Sequence, residues 1–128
     1  MSILTSSYAN GIFSTEIAGN LSQEEAQRWL LMLREHAATQ VTPVIALVDA
    51  TRLEFISGTA RMVIAEATRV PRVRALIFVV STPPMQQAVR MIGMLGERDL
   101  THCFSSMERA QALVEALRLN PLSMQSAR

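Results

Sequence analysis

Two hydroxyls and a glycine meet at Ser57-Gly58-Thr59, between an apolar run that closes at Ile56 and a helical pattern that opens at Ala60. Free backbone N–H groups and the positive end of the macrodipole favour an anion at a helix start, so phosphate on Ser57 or Thr59 would be well placed. A phosphoryl group adds about 1.5 to 2 negative charges, enough to repel an acidic partner or to clash in a close interface. The plainer reading makes Ser57 an N-cap for amides of the helix, Gly58 a relief of crowding in its first turn and Thr59 a solvated first-turn residue. Glycine at an exposed helix start also lets another backbone or ligand come close. Ser57, Gly58 and Thr59 are therefore candidate partner contacts, and Ser57 and Thr59 are the candidate phosphorylation sites.

Other side chains offer less. Asp49 ends the run "PVIALVD", and Glu54 stands a little further along what reads as a loop, at the carboxyl edge where open parallel sheets put their ligands. Paired acid–base work would suit that place, while the simpler role for Asp49 is to accept hydrogen bonds from backbone amides near Thr51. His102 and Cys103 are neighbours on an expected strand, so their side chains point to opposite faces and form no dyad. Cys103 reads as a buried structural cysteine, and His36 stands where it would interact with the dipole at the end of the first helix. Neither a Gly-rich phosphate loop nor metal-ligand spacing is present. Without a nucleophile, base and oxyanion site that belong together, neither catalysis, metal nor cofactor is expected.

The chain that must position these residues has 128 residues, 49% of them hydrophobic, enough for one domain with a substantial core. Its twelve basic side chains, all arginine, are scattered among eleven acids for a net charge of +1. No basic stripe marks a nucleic-acid footprint, so nucleic acid is not an expected partner. The single cysteine allows no internal disulfide and suits a reducing compartment. No apolar run approaches the ~18 residues of a membrane helix, and "MSILTSSYANG" does not look like a signal peptide. A cytoplasmic protein with no membrane insertion is the expectation.

Residues 3 to 8 and 12 to 18 read as strands of a hairpin around Asn10-Gly11, a favoured pair for a two-residue turn. Ser22 and Glu25 have capping-box spacing, and Ala26, Leu30, Leu33 and Ala37 then repeat along a helix whose apolar face Trp29 and Met32 widen. "PVIALVDA" suits a central strand covered on both faces. After Ser57, a second helix places Ala60, Val63, Ile64 and Ala67 on one side and stops before Pro71. Residues 75 to 80 repeat the buried-strand signature, and Pro83-Pro84 open a third helix with Met85, Ala88, Val89, Ile92 and Leu95 inward. "LTHCFSS" is a short fifth strand. Ser105 and Glu108 then cap a last helix carrying Ala110, Leu113, Val114 and Leu117, which Asn120-Pro121 end. The order is β-β-α-β-α-β-α-β-α: a single α/β domain over residues 1–119 with a mixed, mostly parallel sheet and helices packed against it, followed by a tail over 120–128.

That order resembles the STAS family, the bacterial anti-sigma factor antagonists and related domains of sulfate transporters and stress-signalling complexes. The family pattern is roughly an apolar strand, Asp, x, Ser, a variable stretch, then Asp-Ser-x-Gly opening a helix. Asp49 matches its first Asp, Thr51 the following Ser, Leu53 and Phe55 the apolar loop positions, and Ser57 the second Asp. The resemblance places Gly58 where the phosphorylated Ser or Thr stands and Ala60 where the Gly stands, so the switch position lacks its hydroxyl. A one-residue shift on a helix turns a side chain by about 100°, which separates Ser57 and Thr59 from the usual geometry.

What the resemblance implies is a regulatory domain of signal transduction and transcription control that works by protein–protein contact, its partner an anti-sigma kinase or a related switch protein; a homodimer is compatible with it. Met62, Met91 and Met94 fall off the core faces of the second and third helices, neighbours in such a fold, and exposed methionine is an adaptable contact residue; faces displaced by one position would instead make them core filler. Together with Ser57, Gly58, Thr59 and Arg61 they form the expected partner surface, which Arg90 and Glu66 rim. The alternative implied by the looser STAS and SEC14-like group is a small-molecule or lipid-binding domain with an apolar cavity between the sheet and the second and third helices.

Overall fold

The computed structural model describes residues 3–119, so the tail expected at 120–128 lies outside the described residues. β1 (Ile3–Ala9) and β2 (Ile12–Leu21) form the hairpin expected around Asn10-Gly11. Both turn residues have positive φ, 54° and 79°, the conformation that a type I′ turn demands. Then follow α1 (Gln23–Ala38), β3 (Val44–Ile56), α2 (Gly58–Ala65), β4 (Val73–Val79), α3 (Pro83–Leu95), β5 (Thr101–Phe104) and α4 (Met107–Leu119). The sheet runs β1-β2-β3-β4-β5, the first pair antiparallel and the others parallel.

Because each parallel strand is added on the same side of the last, right-handed crossovers put α1, α2 and α3 on one face of the sheet. α4 follows the final strand and covers the other face. Period-two alternation divides the central strands between the layers: Val44, Ala46, Val48, Leu76 and Phe78 face the three helices, while Ile45, Leu47, Ile77 and Val79 face α4. Cover on both sides is why β3 and β4 begin as nearly unbroken apolar runs. A polar tie crosses the larger layer, where the buried Trp29 Nε1–H donates to Thr15 Oγ1 at 3.0 Å and locks α1 onto β2.

Four local expectations are corrected. The loop expected after Asp49 is strand: β3 continues to Ile56 because the long β2 keeps pairing with it, Ala18 with Arg52 and Leu21 with Ile56, across two register shifts. Thr51, Leu53 and Phe55 therefore stand on a bulged strand. The cap of α4 is Ser106, whose Oγ accepts from Arg109 N–H at 3.2 Å, because β5 ends early and leaves Ser105 before the cap. Leu95 is 40% exposed, and Gly93, packed against Thr101, takes the buried place near the end of α3. Cys103 reaches solvent, because β5 is the sheet's edge and, among the described residues, only β4 pairs with it.

Candidate docking surface

Ser57 is the N-cap of α2, with extended backbone (φ −63°, ψ 157°) and its Oγ accepting the Ala60 N–H at 3.1 Å. Its own N–H donates to Leu21 O at 3.4 Å, so the helix start is fastened to the end of β2. Thr59 Oγ1 lies 3.3 Å from Ser57 Oγ, closing a small hydroxyl pair on the exposed turn. Gly58, the first helical residue, is exposed and lacks the positive φ seen at Gly11 and Gly19. A Cβ built on it meets nothing within 4 Å. Neither conformation nor crowding within the chain therefore requires glycine there.

From this turn the surface extends across two helices. Arg61 donates from Nε to Ile56 O at 3.1 Å and reaches with Nη1 to the Sδ of Met91 on α3 at 3.5 Å. Around that bridge Met62 is 59% exposed, Met91 46% and Met94 75%, as expected from their positions off the core faces. Phe55, at the end of β3, is exposed as well. These large apolar side chains lie at the surface and outside the core. At the margins Arg90 is exposed, and Glu66 pairs with Arg69 at 3.4 Å.

The signature residues play the simpler role weighed for them. Asp49 Oδ1 accepts from Thr51 N–H at 3.1 Å and from Thr51 Oγ1–H at 2.8 Å. Ser81 Oγ–H in turn donates to Thr51 O at 2.7 Å, tying β3 to the segment that opens α3. Through these bonds Asp49 and Thr51 help position the start of α3.

The structure does not gather Asp49, Glu54 and a histidine. His36 stacks on Tyr8 at 4.5 Å beside α1, and His102 lies on β5, separated from β3 by β4. Burial lowers the His102 pKa. At Cys103 burial pushes the thiol pKa up, partly opposed by the charge of Arg90. Nor is the space among the described core residues beside α1 and α2 of the size that the ligand-binding alternative needs. The space enclosed by Ile17, Trp29, Val48, Ile64 and Phe78 is about 10 Å³, room for a water and far from the ~300 Å³ or more of a small-molecule site. Clefts of about 240 and 300 Å³ instead flank β5, sharing Arg90 and Cys103, and sequence reasoning missed them. No described helix is long and apolar enough to cross a membrane.

Solved structures share this arrangement of strands and helices. An anti-sigma factor antagonist from Mycobacterium paratuberculosis superimposes with a TM-score of 0.66 at 13% identity, covering 89% of this chain and 93% of its own. The chain has a SpoIIAA-like fold. SpoIIAA itself in its unphosphorylated form matches with a TM-score of 0.60 at 11% identity, over 89% of this chain and 96% of that one. An uncharacterized protein of the DUF3478 family from Shewanella loihica PV-4, described as SpoIIAA-like, gives 0.61 at 16% identity over 88% and 91%. No protein-family model matches the sequence, and neither does any curated protein. The SpoIIAA-like, or STAS-like, fold expected from element order is thus the observed one, and within it Ser57-Gly58-Thr59 starts the helix that follows the long central strand.

Proposed function

We propose that this chain is a non-catalytic regulatory domain that binds a protein partner through the start of α2 and the adjoining surface of α3, without a phosphoserine switch. The observation that carries the reading is Gly58. It occupies the first turn of α2 in open space, on the helix that carries exposed Met62 and the Arg61 that reaches Met91, where its own fold has no need of glycine. A residue without a side chain at that point lets a partner backbone approach α2 closely, and the methionines adapt to what is docked beside it. Likeness of fold to anti-sigma factor antagonists supports an anti-sigma kinase or related switch protein as the partner, in a cytoplasmic pathway that controls transcription.

Incubation with candidate anti-sigma kinases and ATP, followed by intact mass measurement and titration calorimetry, tests both halves. Binding with no mass gain, lost in Gly58→Arg, is the expected result. Stoichiometric phosphate on Ser57 or Thr59 would overturn the switch-free version, and binding indifferent to Gly58→Arg would overturn the surface.

A further inference from the structure

Among the described residues β5 is the edge of the sheet on the side away from the hairpin, and β4 alone pairs with it. Phe104 O accepts from Val80 N–H at 3.0 Å, so the backbone groups of Phe104 point inward. Strand alternation then sends the N–H and C=O of Cys103 outward, to the open side. The Cys103 side chain is also exposed. An edge of this kind presents unpaired donors and acceptors that another extended chain can complete.

What flanks the edge gives the added chain its chemistry. Two clefts adjoin β5, the first against α3 and the second reaching from α3 to Arg109 on α4. The first, about 240 Å³, is built on Val89, Gly93, Met94 and Thr101 and suits an apolar side chain. The second, about 300 Å³, is bounded by Gln86, Ser105 and Arg109 and suits a carboxylate. Arg90 and Cys103 border both. Alternate side chains of a strand point the same way about 7 Å apart, so one peptide laid along β5 offers side chains to both clefts.

Arg98 borders the first cleft and Arg109 the second, with Arg90 between them. Ion pairs among the described residues use Arg52, Arg69 and Arg118, leaving these three guanidinium groups without one. Arg98 stands between Glu97 and Asp99, whereas Arg90 and Arg109 share the second cleft with no acidic side chain in its lining; these two charges disfavour a second copy of the same edge and favour an acidic segment.

We propose that the free edge of β5, with the two clefts beside it, is a docking site for an extended acidic peptide segment of a protein partner, added to the sheet as a further strand. This site is distinct from the α2 surface, and the two meet at Met94 and Arg90.

The probe is a fluorescently labelled peptide alternating glutamate and valine, titrated into the whole chain by anisotropy and by amide NMR. Saturable binding is expected, with amide shifts centred on Thr101–Ser105 and affinity reduced at least about tenfold in the Arg90→Glu, Arg109→Glu double variant. Both arginines are exposed, so the variant keeps its fold. A version of the peptide N-methylated on alternate amides is expected not to bind, because it cannot complete the strand. Equal affinity for a lysine–valine peptide would overturn the acidic preference, and equal affinity for the N-methylated peptide would overturn strand addition. Self-association through β5 without peptide uptake, or no uptake at all, would sink the proposal. Met62→Glu is expected to leave peptide binding unchanged, so failure here and failure of the α2 surface are distinguishable.

Discussion

Arg61 Nη1 on α2 lies 3.5 Å from the Sδ of Met91 on α3, while Nε of the same guanidinium holds the Ile56 carbonyl at 3.1 Å. One side chain thus joins the end of β3, the start of α2 and the exposed edge of α3. Arg61→Ala removes a charge-assisted bond to a backbone oxygen, which is expected to cost about 1 to 2 kcal/mol because the site is only partly buried. Urea unfolding measures that loss. Arg61→Lys, which keeps the charge but not the two-pronged geometry, should recover less than half of it. Full recovery by lysine would show that charge alone matters and that the bridge to Met91 adds nothing.

Ser57 and Gly58 are adjacent and yet predict opposite responses. Ser57→Ala removes the oxygen that accepts from Ala60 N–H and should destabilise the domain by about 0.5 to 2 kcal/mol. Gly58→Ala adds a methyl group in open space and restricts the unfolded chain, so stability should hold or rise by up to about 1 kcal/mol. Thermal unfolding of the two variants side by side distinguishes them. If Gly58→Ala proved as damaging as Ser57→Ala, glycine would be a requirement of the fold, and its value as evidence for a partner would vanish.

What the sequence made legible was local. Ala26, Leu30, Leu33 and Ala37 are buried on α1 because helical period alone decides their face, and Ser22 and Ser57 cap their helices because the cap bond spans three residues. What escaped depends on partners distant in the chain. Arg52 and Glu54 are charged, exposed and interrupt the apolar run of β3, so the strand there is recognisable only through its pairing with β2. Exposure of Cys103 follows from sheet order, which no feature within "LTHCFSS" encodes, and the clefts beside it appear only once α3 lies along β5.

Gly96 makes a second contact hidden from sequence, against the end of α2. A Cβ there would stand 2.6 Å from both Ala65 O and Thr68 Oγ1. Neither neighbour can retreat easily, since the buried Thr68 hydroxyl donates to Ala65 O at 2.7 Å and accepts from Glu97 N–H at 2.8 Å. Gly96→Ala should therefore destabilise by about 1 to 3 kcal/mol, the range for forcing extra volume into packed structure. Combining Gly96→Ala with Thr68→Ala removes one of the two clashing atoms, and the pair is expected to cost less than the sum of the single variants. Additive losses in chemical unfolding would place the strain entirely on the Ala65 carbonyl.

His102 should make stability depend on pH in a definite direction. Burial between β5 and the α4 layer lowers its pKa below the ordinary 6.5, so the folded chain gives up this proton more readily than the unfolded chain does. In the interval between the lowered value and 6.5 the unfolded state holds more protons, and stability rises with pH there. The contribution of neutral His102 is complete above about pH 6.5 and is lost as pH falls toward and through the folded value. Midpoints of urea unfolding measured from about pH 7.5 down to about pH 5 should decline, and His102→Gln should decline less over the same interval. NMR titration of the imidazole supplies an independent reading, since its midpoint is expected below that of an unfolded peptide carrying "LTHCF". A midpoint above the peptide's would reverse the sign and show that a negative charge, rather than burial, governs this histidine.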